Sequence, residues 1–319
     1  MNTMLMLVRR EFWEHRSLWI APLVFVGVLL FTSAWGTIVA GGNHHEITSA
    51  ATVNDIHDMS EHERADLQGA IDLPVASKQT IQAAAIVGLT GVIGAFTCIV
   101  VFFYLIDCLY SERRDRSILF WKSLPVSDAQ VVLSKMLVAM LVIPLGVLLL
   151  AGVTQSLLSV ILWFRFHGTV IGNVIPVFSF VAWAKAEAAS LSIVFGGVLW
   201  YAPIAGYLLV MSAWARRNVF LWVILPPIAL PILEYWMLGS ANVAHFLGRR
   251  FGGFINEMNL DTSVFKHQPG NVQMPPVNDV FDALSVSGMF THPEMWIGLL
   301  CAAIMVALTI RLRRYRDDT

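Results

Sequence analysis

Six stretches of this chain run apolar for eighteen residues or more: Trp19–Ala40, Ile81–Ile106, Met136–Leu162, Ala188–Trp214, Val219–Leu238 and Met295–Leu312. A helix rises about 1.5 Å per residue, so each stretch is long enough to cross a hydrocarbon layer about 30 Å thick. Inside lipid, every backbone N–H and C=O must be satisfied within the segment. Long apolar runs therefore become helices. The sequence predicts an all-α integral membrane protein with six transmembrane helices. Composition agrees: 57% of the 319 residues are hydrophobic and 13% are charged, against about 25% charged in soluble domains. A formal net charge of −1 gives no electrostatic footprint for nucleic acid. Cys98, Cys108 and Cys301 lie in or beside apolar runs without paired spacing. They read as small buried residues rather than as a disulfide framework or metal knuckle.

Lysine and arginine placement sets the expected orientation. With the N-terminus inside, the inner segments hold Arg9, Arg10 and Arg16; Arg113, Arg114, Arg116, Lys122 and Lys135; Arg216 and Arg217; and Arg311, Arg313, Arg314 and Arg316. These are 14 of the 21 basic residues. The other seven spread over longer outer segments. Both termini are thus expected in the cytoplasm. The first apolar run is longer than a signal-peptide core and five more follow it, so it reads as a retained span.

The chain reads as a single domain, 1–319, with segments 1–17, 41–80, 107–135 and 240–293 outside the spans. Pro144 sits within the third run. Gly196, Gly197, Pro203 and Gly206 interrupt the fourth, and Pro226, Pro227 and Pro231 crowd the fifth. Such residues permit ordinary kinked packing, or the bent wall of a conduit that rearranges. Segment 41–80 is polar and acidic. Segment 165–187 is partly apolar but too broken to span. In segment 240–293, Gly252–Gly253 and Pro275–Pro276 mark expected breaks.

The densest charge in the chain is "YSERRDRSILFWKSLPVSDAQ", from Tyr110 to Gln130. Tyr110–Leu124 lacks glycine and proline, so it is compatible with a helix. Glu112 and Arg116 stand four apart, a favourable helical pair. Pro125 disfavours helix at Leu124. Ser127 with Gln130 fits a capping box, and Asp128 suits the first turn of the next helix. The segment therefore reads as helix, break, new helix. A positive-inside anchor or an anionic-lipid site accounts for the arginines. Neither accounts for Glu112, Asp115 and the break together. A docking helix for a protein partner does, because arginine and aromatic residues are enriched at interface cores.

In "MLMLVRREFWEHRSLW", Leu5, Val8 and Phe12 share one helical face, with Arg10 and Glu14 opposite. This pattern predicts an N-terminal interfacial helix. An amphipathic helix, a span, an outer loop, a second span and then "YSERRDRSILFWKSLPVS" form an order that resembles the permease subunit of an ABC-2 type ABC transporter. The resemblance in topology covers nearly the whole chain, and the motif covers about twenty residues. In that family the loop after the second span forms a coupling helix that fits a groove in the ATPase subunit. The resemblance implies that Glu112, Arg113, Arg114, Asp115, Arg116, Phe120, Trp121 and Pro125 make that cytoplasmic coupling helix, between spans two and three. It further implies export, a second copy of the chain as partner, and residence in a bacterial cytoplasmic (inner) membrane.

A phosphate-cradling G-x-x-x-x-G-K-[ST] string is missing from the sequence. ATP and magnesium would therefore belong to a separate ATP-binding subunit on the cytoplasmic side. This chain is expected to hold no cofactor and to be no enzyme. His45–Glu46 begins an H-E-x-x-H pattern, but Ser49 occupies its last position. His44, His45, His57, His62, Asp55 and Asp58 read as polar loop residues rather than as a metal set. Asp107, Glu187 and Glu234 lie near span ends, where capping or snorkelling explains a carboxylate. The alternative to a permease is a membrane scaffold or sensor that recruits a cytoplasmic partner without transporting.

Overall fold

The computed structural model describes residues 3–43, 74–115, 117, 126–166, 179–257 and 286–315. The described residues form an all-α fold. Its helices are α1 (Thr3–Glu14), α2 (Ser17–Asn43), α3 (Val75–Asp107), α4 (Tyr110–Arg114), α5 (Asp128–Leu137), α6 (Ile143–Phe166), α7 (Phe180–Trp214), α8 (Val219–Leu238), α9 (Asn242–Glu257) and α10 (Pro293–Tyr315). Six helical stretches are long and apolar enough to cross a membrane: Ser17–Trp35, Ser77–Arg114, Asp128–Phe164, Phe180–Trp214, Val219–Leu238 and Pro293–Tyr315. The chain is thus a multi-pass, largely helical membrane protein.

Helix α7 is the centre of the bundle, packed against α3, α6, α8 and α10. The main core joins Ile93, Tyr104 and Leu105 of α3 to Val147 and Ala151 of α6 and to Leu208, Leu209 and Ala213 of α7. Large apolar side chains also face outward, including Phe31, Leu149, Phe164 and Trp236. In lipid such faces carry no penalty, because hydrocarbon surrounds them. Gly206 sets the α7–α10 approach. A Cβ there would stand 3.1 Å from Met305 Cβ and 3.3 Å from the Ala302 carbonyl oxygen.

Three expectations are corrected. The glycines and the proline do not interrupt the fourth span, because α7 runs continuously through them. The fourth span also begins at Phe180 rather than near Ala188, because the Ser179 hydroxyl caps it by accepting from Ala182 N–H at 3.4 Å. Its small residues Ala182 and Ala186 are buried, with Ala186 packed against Ala83 and Ile86 of α3. Gly252 and Gly253 do not break the segment before the last span, since both lie inside α9. Gly253 is there because the Trp200 ring passes 3.3 Å from where its Cβ would be. Trp200 is fully buried, and its indole N–H donates to the Arg250 carbonyl at 3.0 Å.

Pro144 distorts its helix one turn earlier. Residues Val138–Val142 form a π-helical turn, and Ile143 N–H bonds back to the Val138 carbonyl, five residues away. The wider turn accommodates a proline ring that would otherwise press on the carbonyl four residues before it. Gly206→Val should lower unfolding stability by about 1–3 kcal/mol, as expected for overpacking. Gly146→Ala, whose Cβ would enter open space, should change it by less than about 0.5 kcal/mol. Denaturant unfolding in detergent compares the two.

Candidate functional site

The last turn of α3, helix α4, the start of α5 and the end of α10 meet beneath α1, at one end of the bundle. Helices α1, α4, α5 and α10 each bring a charged side chain inward, and α3 brings the Tyr104 hydroxyl. The residues described of the charged loop begin with a turn at Cys108 and Leu109, whose backbone joins α3 to α4. That turn is held from outside itself: the Leu109 and Tyr110 N–H groups donate to the Ser212 hydroxyl of α7 at 3.2 and 3.1 Å. Arg113 extends to the C-terminal end of α7 and donates to the Ser212 and Ala215 carbonyls at 2.6 and 2.8 Å. A cation on the last free carbonyls of a helix suits both their lone pairs and the helix dipole.

Glu112 points the other way, into the bundle, and is 3% exposed. Its Oε1 accepts from Lys135 Nζ of α5 and from Arg10 Nη2 of α1, each at 3.0 Å. Its Oε2 accepts from Arg313 Nη1 of α10 at 2.5 Å. Lys135 also donates to Glu11 Oε1 of α1 at 2.7 Å. The second Glu11 oxygen accepts from the Tyr104 hydroxyl of α3 at 3.0 Å. Arg313 Nε donates to Asp128 Oδ1 at 3.0 Å, in the first turn of α5. Glu11, Glu112, Lys135 and Arg313 are all nearly or wholly removed from solvent, two anions against two cations. A buried charge is costly unless paired and hydrogen-bonded. Here each acid has more than one donor, so the set is neutral and satisfied as a unit.

The imidazole of His15 stands edge-on to Tyr104, with ring centroids 4.8 Å apart. Its Nδ1 is 3.5 Å from Glu11 Oε2. Burial pushes His15 below its usual 6.5, against the pull of Glu11. The folded protein therefore holds it neutral at pH 7. The unfolded chain takes up the proton more readily, so stability falls as pH drops through the region below 6.5.

The residues expected to form a coupling helix divide into distinct places. Glu112 and Arg113 turn toward this chain's own helices, forming the root of the loop. Arg114 and Asp115 are exposed and pair with each other at 3.0 Å. Arg116, Phe120, Trp121 and Pro125 lie outside the described residues, so the expected Glu112–Arg116 pair does too. The expected capping box is present: Ser127 Oγ accepts from Gln130 N–H at 3.2 Å and Gln130 Oε1 accepts from Ser127 N–H at 3.0 Å. Of the expected α1 face, Leu5 and Phe12 are exposed, while Val8 packs against the main core. The face turned to the bundle is Leu7 and Glu11, a pairing the amphipathic reading missed.

Glu11, Lys135 and Arg313 are the functional candidates that sequence reasoning passed over. Each had a local signal. Glu11 is one helical turn from Leu7, Lys135 interrupts "VVLSKMLVAM", and Arg313 follows the last apolar run. A charge set into an apolar stripe implies a partner, though not which one. Of the acids near span ends, Glu234 acts as an external cap for α9, accepting from Ser240 Oγ and from Asn242 and Val243 N–H at 2.7, 2.9 and 2.7 Å. The residues His44, His45, His57, His62, Asp55 and Asp58 lie outside the described residues. No group of three His, Cys, Asp or Glu side chains gathers as a metal centre among the described residues.

No protein-family profile, curated protein or solved structure matches this chain.

Lys135→Met should cost about 3–5 kcal/mol, because it leaves Glu11 and Glu112 buried without their shared ammonium. Adding Glu11→Gln should return part of that loss, a coupling of about 0.5–3 kcal/mol in a double-mutant cycle of unfolding. Acidification from pH 7.5 to 5.5 should lower the melting temperature, and His15→Gln should reduce that drop.

Proposed function

We propose that the chain is the membrane-spanning permease subunit of an ATP-driven transporter, an exporter whose ATPase is a separate cytoplasmic subunit. The observation that carries the reading is Glu112. The loop that resembles a coupling helix has its root tied by one buried carboxylate to α1, α5 and α10. Arg113 ties the same root to the central helix α7. A push on this loop is therefore delivered to four helices at once, rather than absorbed in a slack connection.

The absence of a phosphate-cradling string from the sequence supports a separate ATP-binding partner. In this reading Arg114, Asp115, Arg116, Phe120, Trp121 and Pro125 meet that partner, while Glu112 and Arg113 transmit. ATP-driven closure of two ATPases would move the loops of two copies of this chain. A ligand bound elsewhere can bias such a two-state change only through different contacts in the two states. The π-helical turn at Val138–Val142 lies directly after Lys135 and is a place where one helix can shorten or lengthen its register. Both termini face the cytoplasm in this arrangement, in the bacterial inner membrane.

Purification from the native membrane tests the assignment. A P-loop ATPase should co-purify with the intact chain. Arg114→Glu combined with Trp121→Ala should reduce its recovery roughly tenfold or more, and should abolish ATP-dependent transport in proteoliposomes while leaving the melting temperature unchanged. Failure of any ATPase to co-purify, with the double variant fully functional, would remove the coupling assignment. Recovery of a cytoplasmic partner without ATP-dependent movement of any solute would favour a scaffold or sensor.

A further inference from the structure

A second polar cluster lies at the opposite end of the same bundle, where α3, α6 and α7 pack together. Ala83 and Ile86 of α3 bury against Ala186 of α7. This contact puts the next residue of α7, Glu187, level with the turn of α3 that follows Ile86. On α6, Gln155 is 6% exposed and spends both amide hydrogens on α3, donating to the Ile86 carbonyl and to Thr90 Oγ1, each at 3.2 Å. Thr90 is itself satisfied, since its hydroxyl donates to Ile86 at 3.0 Å. Glu187 Oε1 lies 3.9 Å from where a Cβ on Gly152 would stand. Gly152 is one turn before Gln155 on the same helix. Glu187 Oε1 thus lies beside the turn of α6 that leads to Gln155, and Ser190 follows Glu187 by one turn of α7.

Hydrogen-bond partners are missing here in a one-sided way. Gln155 Oε1, Glu187 Oε1 and Ser190 Oγ are buried and have no partner among the described residues. Gln82 Oε1, one turn from Ile86 on the outer side, is in the same condition. A protein rarely leaves a buried polar atom unpaired, and a gathering of several calls for a specific cause. These are oxygen atoms, an amide carbonyl, a carboxylate and a hydroxyl that can also donate, each without a hydrogen-bond partner among the described residues. Glu187 is the only acid among these residues, so one positive charge would balance its carboxylate in the ionised form. Hard oxygen donors of this kind suit alkali ions and ammonium groups rather than transition metals. Glu187 is only partly buried, so the cluster opens on one side.

We propose that Gln155, Glu187 and Ser190, with Gln82 on the approach, form a binding site for a monovalent cation, either an alkali ion or the primary ammonium head of an organic molecule. Gly152 carries no side chain beside it; a Cβ there would meet Glu187 Oε1 at 3.9 Å. Ordinary capping does not account for Glu187: it lies seven residues into α7, and the cap of that helix is Ser179. The site needs no ATPase and stands apart from the permease assignment. Its failure would leave that assignment untouched, and the reverse holds too.

The test uses the full chain in lipid nanodiscs without any partner. Its melting temperature is followed in sodium chloride, potassium chloride or methylammonium chloride, against N-methylglucamine chloride at equal ionic strength. At least one of the three small cations should raise the melting temperature along a saturating curve. Glu187→Gln should shift half-saturation about tenfold or more toward higher concentration. Ser190→Ala should shift it in the same direction by less. A response to sodium or potassium identifies a bare ion, and a response to methylammonium alone identifies an ammonium head. Curves equal to the glucamine control for all three cations would overturn the site and assign its unpaired oxygens to water. A native-like response from Glu187→Gln would overturn it as well. If Glu187→Gln does not fold, a native-like response from Ser190→Ala has the same consequence.

Discussion

One buried carboxylate, Glu112, organises the charged end of this protein. It holds Lys135, Arg10 and Arg313 at hydrogen-bond distance, and through Lys135 it is joined to Glu11. Alone, each of these charges would be expelled from a low-dielectric interior. Together they are tolerated, because every acid gains more than one cationic or hydroxyl donor. The consequence is geometric. Helices α1, α4, α5 and α10, which are far apart in the chain, cannot move independently near this point without exposing a buried charge.

That constraint gives the loop between α3 and α5 an unusual foundation. Most connections in a helical membrane protein run over the surface and absorb strain. Here the first turn of the loop is fastened on both sides, by Glu112 to the ionic set and by Arg113 and Ser212 to α7. Arg114 and Asp115 are left outward. A partner that engages the outward part meets a lever with a fixed base, which is the property a coupling element needs. The π-helical turn directly beyond Lys135 adds a register defect at the root of the third span, next to the fastened base. At the far end, Gln155 Oε1, Glu187 Oε1 and Ser190 Oγ are buried without a hydrogen-bond partner among the described residues.

The fold was legible in the sequence where local physics governs. Val219–Leu238 is identical as an apolar run and as a helix. The Ser127–Gln130 box formed as its spacing implied, since both of its hydrogen bonds are made within four residues. Reading failed where a neighbour overrides local preference. Pro203 and Gly196–Gly197 looked like interruptions, yet α7 is continuous because it is enclosed by other helices. Gly252 and Gly253 looked like a loop, yet they are helical because Trp200 needs the space beside Gly253. Nor did local spacing show that the Glu112 carboxylate is held by residues from three other helices.

The sequence by itself determined which segments are long and apolar enough to cross a membrane, where the capping break falls, and where charge is concentrated. Those properties belong to short windows of chain, so twenty residues suffice to reveal them. Only the tertiary structure decided which charges meet. Lys135 and Glu11 are 124 residues apart, and Arg313 and Glu112 are 201 apart. Their pairing depends on how the helices pack side by side, and no local pattern carries that information. The same holds for Gln155, whose amide lies against Thr90 because α3 and α6 touch there. Hydrophobicity placed these helices in the bilayer; packing decided which polar groups they would share.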